Sequence, residues 1–123
     1  MKVYIGYDPR DHDAYTVLEH SIRENTACAV DIVPIKEWEL RQKGLFWRSW
    51  RMDAQGQMWD DRDGRPFSTQ FSFTRFAVPL LQNHTSEWVL FLDADMMFKD
   101  DIKELFALAD DKYDVMCVQH DHQ

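Results

Sequence analysis

The chain has 123 residues, 45% of them hydrophobic and 14% aromatic, enough for one packed domain and incompatible with a collagen-like or disordered protein. Its formal net charge of -8 repels phosphate backbones, which excludes non-specific nucleic-acid binding, and attracts divalent cations. The opening MKVYIGYDPRD is not a signal peptide and no apolar run reaches membrane-spanning length, so a cytoplasmic protein without a membrane span is expected.

Lys2 to Tyr7 is a short apolar run that stops at Asp8-Pro9, which predicts a strand ending in a turn. Ala14, Val17, Leu18, Ser21 and Ile22 then recur at helical spacing to about Glu24, with Asp11 or Asp13 as N-cap. Ala29 to Ile35 reads as a second strand, which Pro34 pushes towards a sheet edge. From Lys36 to Pro66 no period is sustained, and a long loop is expected, carrying the aromatic-basic cluster Phe46 to Arg51. Phe73, Phe76, Ala77, Leu80 and Leu81 predict an amphipathic helix from Ser68, kinked at Pro79.

Trp88 to Leu92 is nearly all apolar, the pattern of a central strand buried on both faces of a parallel sheet. Asp101 to Glu104 approximates a capping box, with Ile102, Leu105, Phe106 and Leu108 as the apolar side of a short helix. Asp114 to Val118 reads as a last strand. Cys28 and Cys117 lie in apolar stretches, and buried reduced thiols are expected there. The fold class is α/β, with a mostly parallel sheet of at least four strands.

The most informative string is Leu90-Phe91-Leu92-Asp93-Ala94-Asp95. It is an apolar strand running into two carboxylates at i, i+2, which strand alternation would set on one face. Ligands of open parallel α/β sheets bind at the carboxyl ends of strands. Paired hard oxygens there suit Mn2+ or Mg2+, whose remaining positions go to substrate phosphates and water. An EF-hand is excluded, because Phe98 stands where that loop needs glycine. His120-Asp121-His122 suggests metal ligands by spacing, but a frayed terminus explains it as well. Trp47 and Trp50 read either as sugar-stacking rings or as loop anchors.

Three strings in order, KVYIGYDPRD with AYTV behind it, FSTQFSFTRFAVPLL and WVLFLDADMMFKDDIKELF, resemble the opening of a GT-A glycosyltransferase of the family-8-like and related bacterial and phage groups. The resemblance covers nearly the whole chain. It implies a Rossmann-like GT-A nucleotide-binding fold with helices on both faces. Residues 1–123 would then be the N-terminal nucleotide-sugar-binding part of a single domain, incomplete at the C-terminus. It further implies that Tyr7, Asp8, Arg75, Asp93, Ala94 and Asp95 bind the nucleotide-sugar and that Asp93 and Asp95 hold the metal. The activity implied is metal-dependent transfer of a hexose from a nucleotide-sugar donor, UDP-type, to an acceptor that is a glycan, lipid or protein.

Two other readings stay open: a haloacid-dehalogenase-type phosphohydrolase, using the two aspartates as nucleophile and general acid, and a non-catalytic nucleotide-binding module. An incomplete sheet would expose strand edge and apolar surface, so self-association of the chain is expected unless the polypeptide continues.

Overall fold

The structure is a computed structural model and describes residues 1–121. Its centre is β1 (Lys2–Gly6), flanked in parallel by β2 (Asp31–Ile35) and β6 (Leu90–Leu92), in the order β2-β1-β6. Ile5 pairs with Leu92 on one side and Pro34 on the other. Pro34 therefore lies on an edge strand, where its missing N–H costs no ladder bond.

Side chains alternate along β1 and enter two separate cores. Val3 and Ile5 meet Leu18 and Ile22 of helix α1 (His12–Glu24), together with Leu92, Ala94 and Ile102. Tyr4 points the other way, into Ile35, Ala77 and Leu40 of α2 (Glu37–Gln42). Helical residues thus cover both faces of a parallel sheet, as βαβ crossovers require. Ser21 ties α1 to the segment that follows β6, its hydroxyl accepting from the Phe98 amide at 2.9 Å.

The stretch expected as a loop between Lys36 and Pro66 instead holds α2 and a second, antiparallel sheet of β3 (Trp50–Met52), β4 (Met58–Asp60) and β5 (Pro66–Phe67). Its two turns carry Gly56 (φ 82°) and Gly64 (φ 70°), backbone values that favour glycine. Asp53 and Asp60 brace these turns, Asp53 through the amides of Gln55 and Gln57 and Asp60 through that of Asp63. Arg48 makes paired hydrogen bonds of 2.6 and 2.7 Å to buried Asp60, and Arg48 hydrogen bonding first of all holds that carboxyl down at about 2. Trp50 donates to Glu37 at 2.8 Å, which fastens this sheet to α2.

Four other expectations are corrected. The helix foreseen from Ser68 is broken into α3 (Phe71–Thr74), a 3-10 turn over Arg75–Ala77 and α4 (Val78–Leu81). Pro79 starts a new helical segment there, where its ring and missing N–H are tolerated, and the reset phase leaves Phe76 and Leu80 exposed. β6 is not central, since its only strand partner among the described residues is β1. Asp114 to Val118 forms no strand and is exposed, so among the described residues the parallel sheet has three strands rather than four or more. Both cysteines are free but exposed. α5 (Lys103–Phe106) forms as expected, with Ile102 fully buried but Leu108 outside.

At the end of β1, a Cβ on Gly6 would stand 2.6 Å from Phe71 Cγ. The absence of a side chain lets α3 lie directly on the strand end. Gly6→Ala should therefore destabilise the fold by about 1–3 kcal/mol through overpacking, read as a lower urea midpoint. An unchanged midpoint would show that α3 does not rest on β1.

Candidate functional site

β1, β2 and β6 run in parallel, so their carboxyl ends share one edge, and Tyr7, Asp8, Lys36, Asp93 and Asp95 all follow directly on those ends. This is the edge at which open α/β sheets receive ligands.

Asp8 is 1% exposed and its oxygens are occupied. One accepts from the Arg10 amide at 2.9 Å, and the other from Arg10 Nη2 at 2.9 Å and the Gln70 amide at 3.1 Å. Arg10 Nη2 also donates to the Ser68 carbonyl at 2.8 Å. Burial pushes the carboxyl pKa up, but the Arg10 side chain, the two amides and the Arg10 charge outweigh it and hold the group below its ordinary 3.8. Asp8 therefore organises the edge from beneath and offers little to a ligand in this state.

Tyr7 is 8% exposed and sits in an aromatic group. Its hydroxyl hydrogen-bonds His12 Nδ1 at 2.8 Å, and its ring meets those of His12, Tyr15 and Trp38 edge-on at centroid distances of 5.9, 5.4 and 5.8 Å. Lys36 Nζ lies 5.5 Å from the Tyr7 ring centre and 5.4 Å from that of exposed Trp38. Burial, with Glu19 alongside, pushes the Tyr15 hydroxyl up to about 12. Lys36 and Trp38 escaped the sequence reading, although their place just after the second strand was the same signal that singled out Asp8.

Asp93, Ala94 and Asp95 lie on a turn rather than on the strand, which ends at Leu92. Strand alternation therefore does not govern the two acids. Ala94 is 1% exposed and packs in the core with Val3 and Ile5, pinning the turn between a half-buried Asp93 and an exposed Asp95. Arg75 Nη2 faces Asp93 Oδ1 at 3.4 Å, and that oxygen is shielded from solvent without a hydrogen bond. Gln70 Oε1, one residue before α3, is likewise shielded and unbonded.

A divalent ion fits this chemistry in part. Among the described residues no group of three or more His, Cys, Asp or Glu side chains is arranged to hold a metal. Asp93 and Asp95 would supply only two ligands, as expected for Mg2+ or Mn2+ that take the rest from phosphates and water. The unbonded Asp93 oxygen is the atom such an ion would satisfy. The His120-Asp121-His122 string, weighed as metal ligands but read rather as a frayed terminus, lies partly outside the described residues. Of the two tryptophans, Trp50 is the anchor of the small sheet, whereas Trp47 is exposed. No helix among the described residues is long and apolar enough to cross a membrane.

No protein-family model and no solved structure matches the chain. It is similar to a curated Arabidopsis thaliana protein, Protein CDI, at 44% identity over 122 residues, 99% of this chain and 42% of that protein. The chain thus spans less than half the length of this relative. These findings correct the resemblance drawn from the three strings. No glycosyltransferase family model recognises the chain, and the name of its relative carries no such activity.

The Asp8 clasp makes a pH-dependent prediction. A carboxyl depressed in the folded state contributes stability that is present above its unfolded pKa, near 4, and lost as pH falls through the folded value. Arg10→Met leaves Asp8 buried with fewer partners and should cost about 1–3 kcal/mol at pH 7. The gap between variant and wild type in urea unfolding should narrow below pH 4. A gap that stays constant with pH would remove Asp8 from the account.

Proposed function

We propose that the carboxyl edge of the parallel sheet binds a nucleoside diphosphate-sugar with Mn2+ or Mg2+, and that the protein transfers the hexose from this donor, UDP-type, to an acceptor. The observation that carries this reading is the unbonded Asp93 oxygen on the Asp93-Ala94-Asp95 turn, facing Arg75, at the edge where ligands of such sheets bind. The finer description of the fold as Rossmann-like belongs to the same proposal. The parallel order β2-β1-β6, with helical residues on both faces, is consistent with it.

In this reading Asp93 and Asp95 would hold the ion, and Arg75 would pair with the diphosphate. Trp38, exposed just after β2 and backed edge-on by buried Tyr7, presents aromatic surface to a base, and Lys36 adds positive charge beside it. When bound, the ion would supply a Lewis acid that stabilises charge on the departing diphosphate. The other contributions come from the chain itself: Ala94 anchors the turn and Asp8 fixes the strand end from which Tyr7 projects. Both cysteines are free surface thiols, a state that reducing compartments maintain, and we assign the protein to the cytoplasm on that basis.

Calorimetry with UDP tests the reading. The nucleotide should bind the wild type only with Mn2+ or Mg2+, and Asp95→Asn should weaken that binding by at least about tenfold, or 1.4 kcal/mol. Because Asp95 is exposed beside another acid, its neutralisation should leave stability within about 0.5 kcal/mol or raise it. Equal, metal-independent UDP binding in both proteins, or a collapse of melting temperature, would return the two aspartates to a structural role.

A further inference from the structure

Arg75 differs from Arg10 and Arg48, which meet fully buried acids. Arg10 and Arg48 engage Asp8 and Asp60 through hydrogen bonds of 2.6–2.9 Å that leave those carboxylates satisfied. Arg75 spends its Nε on the Phe71 carbonyl at 3.0 Å, and its guanidinium lies 5.6 and 5.5 Å from the ring centres of Phe71 and Phe91. These contacts fix the group at a distance from Asp93. The result is an ion pair of 3.4 Å with no hydrogen bond, both side chains about one-third exposed. A charge fixed near an acid, but not bonded to it, offsets the acid's charge while leaving its oxygen open to a ligand.

We infer that Arg75 is a built-in counter-ion for Asp93 that keeps bare divalent metal out and admits it only together with the diphosphate. This rests on the metal reading proposed above.

The physical argument is one of charge. Two carboxylates and one guanidinium leave the turn with a single negative charge, against two if Arg75 were neutral. A divalent ion at about 2.1 Å from Asp93 would attract it roughly three times as strongly as a monovalent charge at 3.4 Å. The same ion would stand beside a fixed guanidinium that repels it. A diphosphate removes that repulsion, since its oxygens pair with both the ion and Arg75. Metal and nucleotide then bind cooperatively, and the coupling is reciprocal by linkage.

The test measures binding of Mn2+ alone by electron paramagnetic resonance, and of UDP at saturating Mn2+ by calorimetry, in the wild type, Arg75→Lys and Arg75→Gln. Arg75→Gln should bind free Mn2+ about tenfold more tightly than the wild type and UDP–Mn2+ more weakly, whereas Arg75→Lys should stay close to the wild type for free Mn2+. Should Arg75→Gln melt far below the wild type, Arg75→Met, which keeps an apolar stem over the two rings, takes its place. Free Mn2+ bound no more tightly without the charge, while the wild type still binds UDP–Mn2+, would overturn the counter-ion role alone. Failure of every protein to bind Mn2+, with or without UDP, would overturn it together with the metal reading.

Discussion

The carboxylate of Asp8 is the fixed point on which the ligand edge depends. It is a buried charge at the end of the central strand, and its burial is tolerable only because Arg10 and two backbone amides saturate it. The partners come from far apart in sequence. Arg10 belongs to the turn that follows Asp8, and Gln70 opens α3, which the small antiparallel sheet delivers through β5. Through the Ser68 carbonyl the same arginine grips the connection between β5 and α3. One ionic cluster therefore joins the central strand, the second sheet and α3, which leads into Arg75.

Packing extends this constraint to the other residues of the edge. Phe71 lies directly against the strand at Gly6, where any side chain would be in its way. Arg75, one turn later, anchors to the Phe71 carbonyl and reaches the Asp93 turn. That turn is held from below by Ala94 in the core shared with α1. The acids of the edge thus have opposite characters: Asp8 is satisfied and structural, whereas Asp93 has an unbonded oxygen facing the anchored Arg75 guanidinium. A site that binds cations needs the second kind, and the first kind makes its position reproducible.

Much of the first third of the chain was legible, because there local pattern and tertiary demand agree. The apolar run of β1, the helical spacing of Leu18, Ser21 and Ile22, and the edge placement of Pro34 all follow from period and backbone chemistry. Elsewhere local signals competed. Phe76 and Leu80 match a helical stripe, but Pro79 restarts the helix and rotates them outward. Asp114 to Val118 has the composition of a strand and no strand to pair with among the described residues. Gly56 and Gly64, each a few residues after an aspartate, were turn signals of two short hairpin connections that aperiodic surroundings concealed. The two acids of the Asp93-Ala94-Asp95 turn were found by spacing, but the reason given, strand alternation, was not the operative one. Gln70 was missed because its contact with Asp8 is non-local, and Arg10, although two residues from Asp8, because its second anchor at the Ser68 carbonyl is non-local too.

The central claim is that a metal–nucleotide complex binds at the carboxyl edge of β1, β2 and β6. Paramagnetic broadening of amide NMR signals by Mn2+ with UDP locates the ion directly, since the effect falls steeply with distance from the bound metal. The account predicts selective loss of signals from Asp93 to Met96 and from Arg75, with Tyr7 and Lys36 shifted by the diamagnetic Mg2+–UDP complex. Broadening confined to another acidic stretch, such as Asp110 to Asp114, or no selective broadening at all, would contradict it.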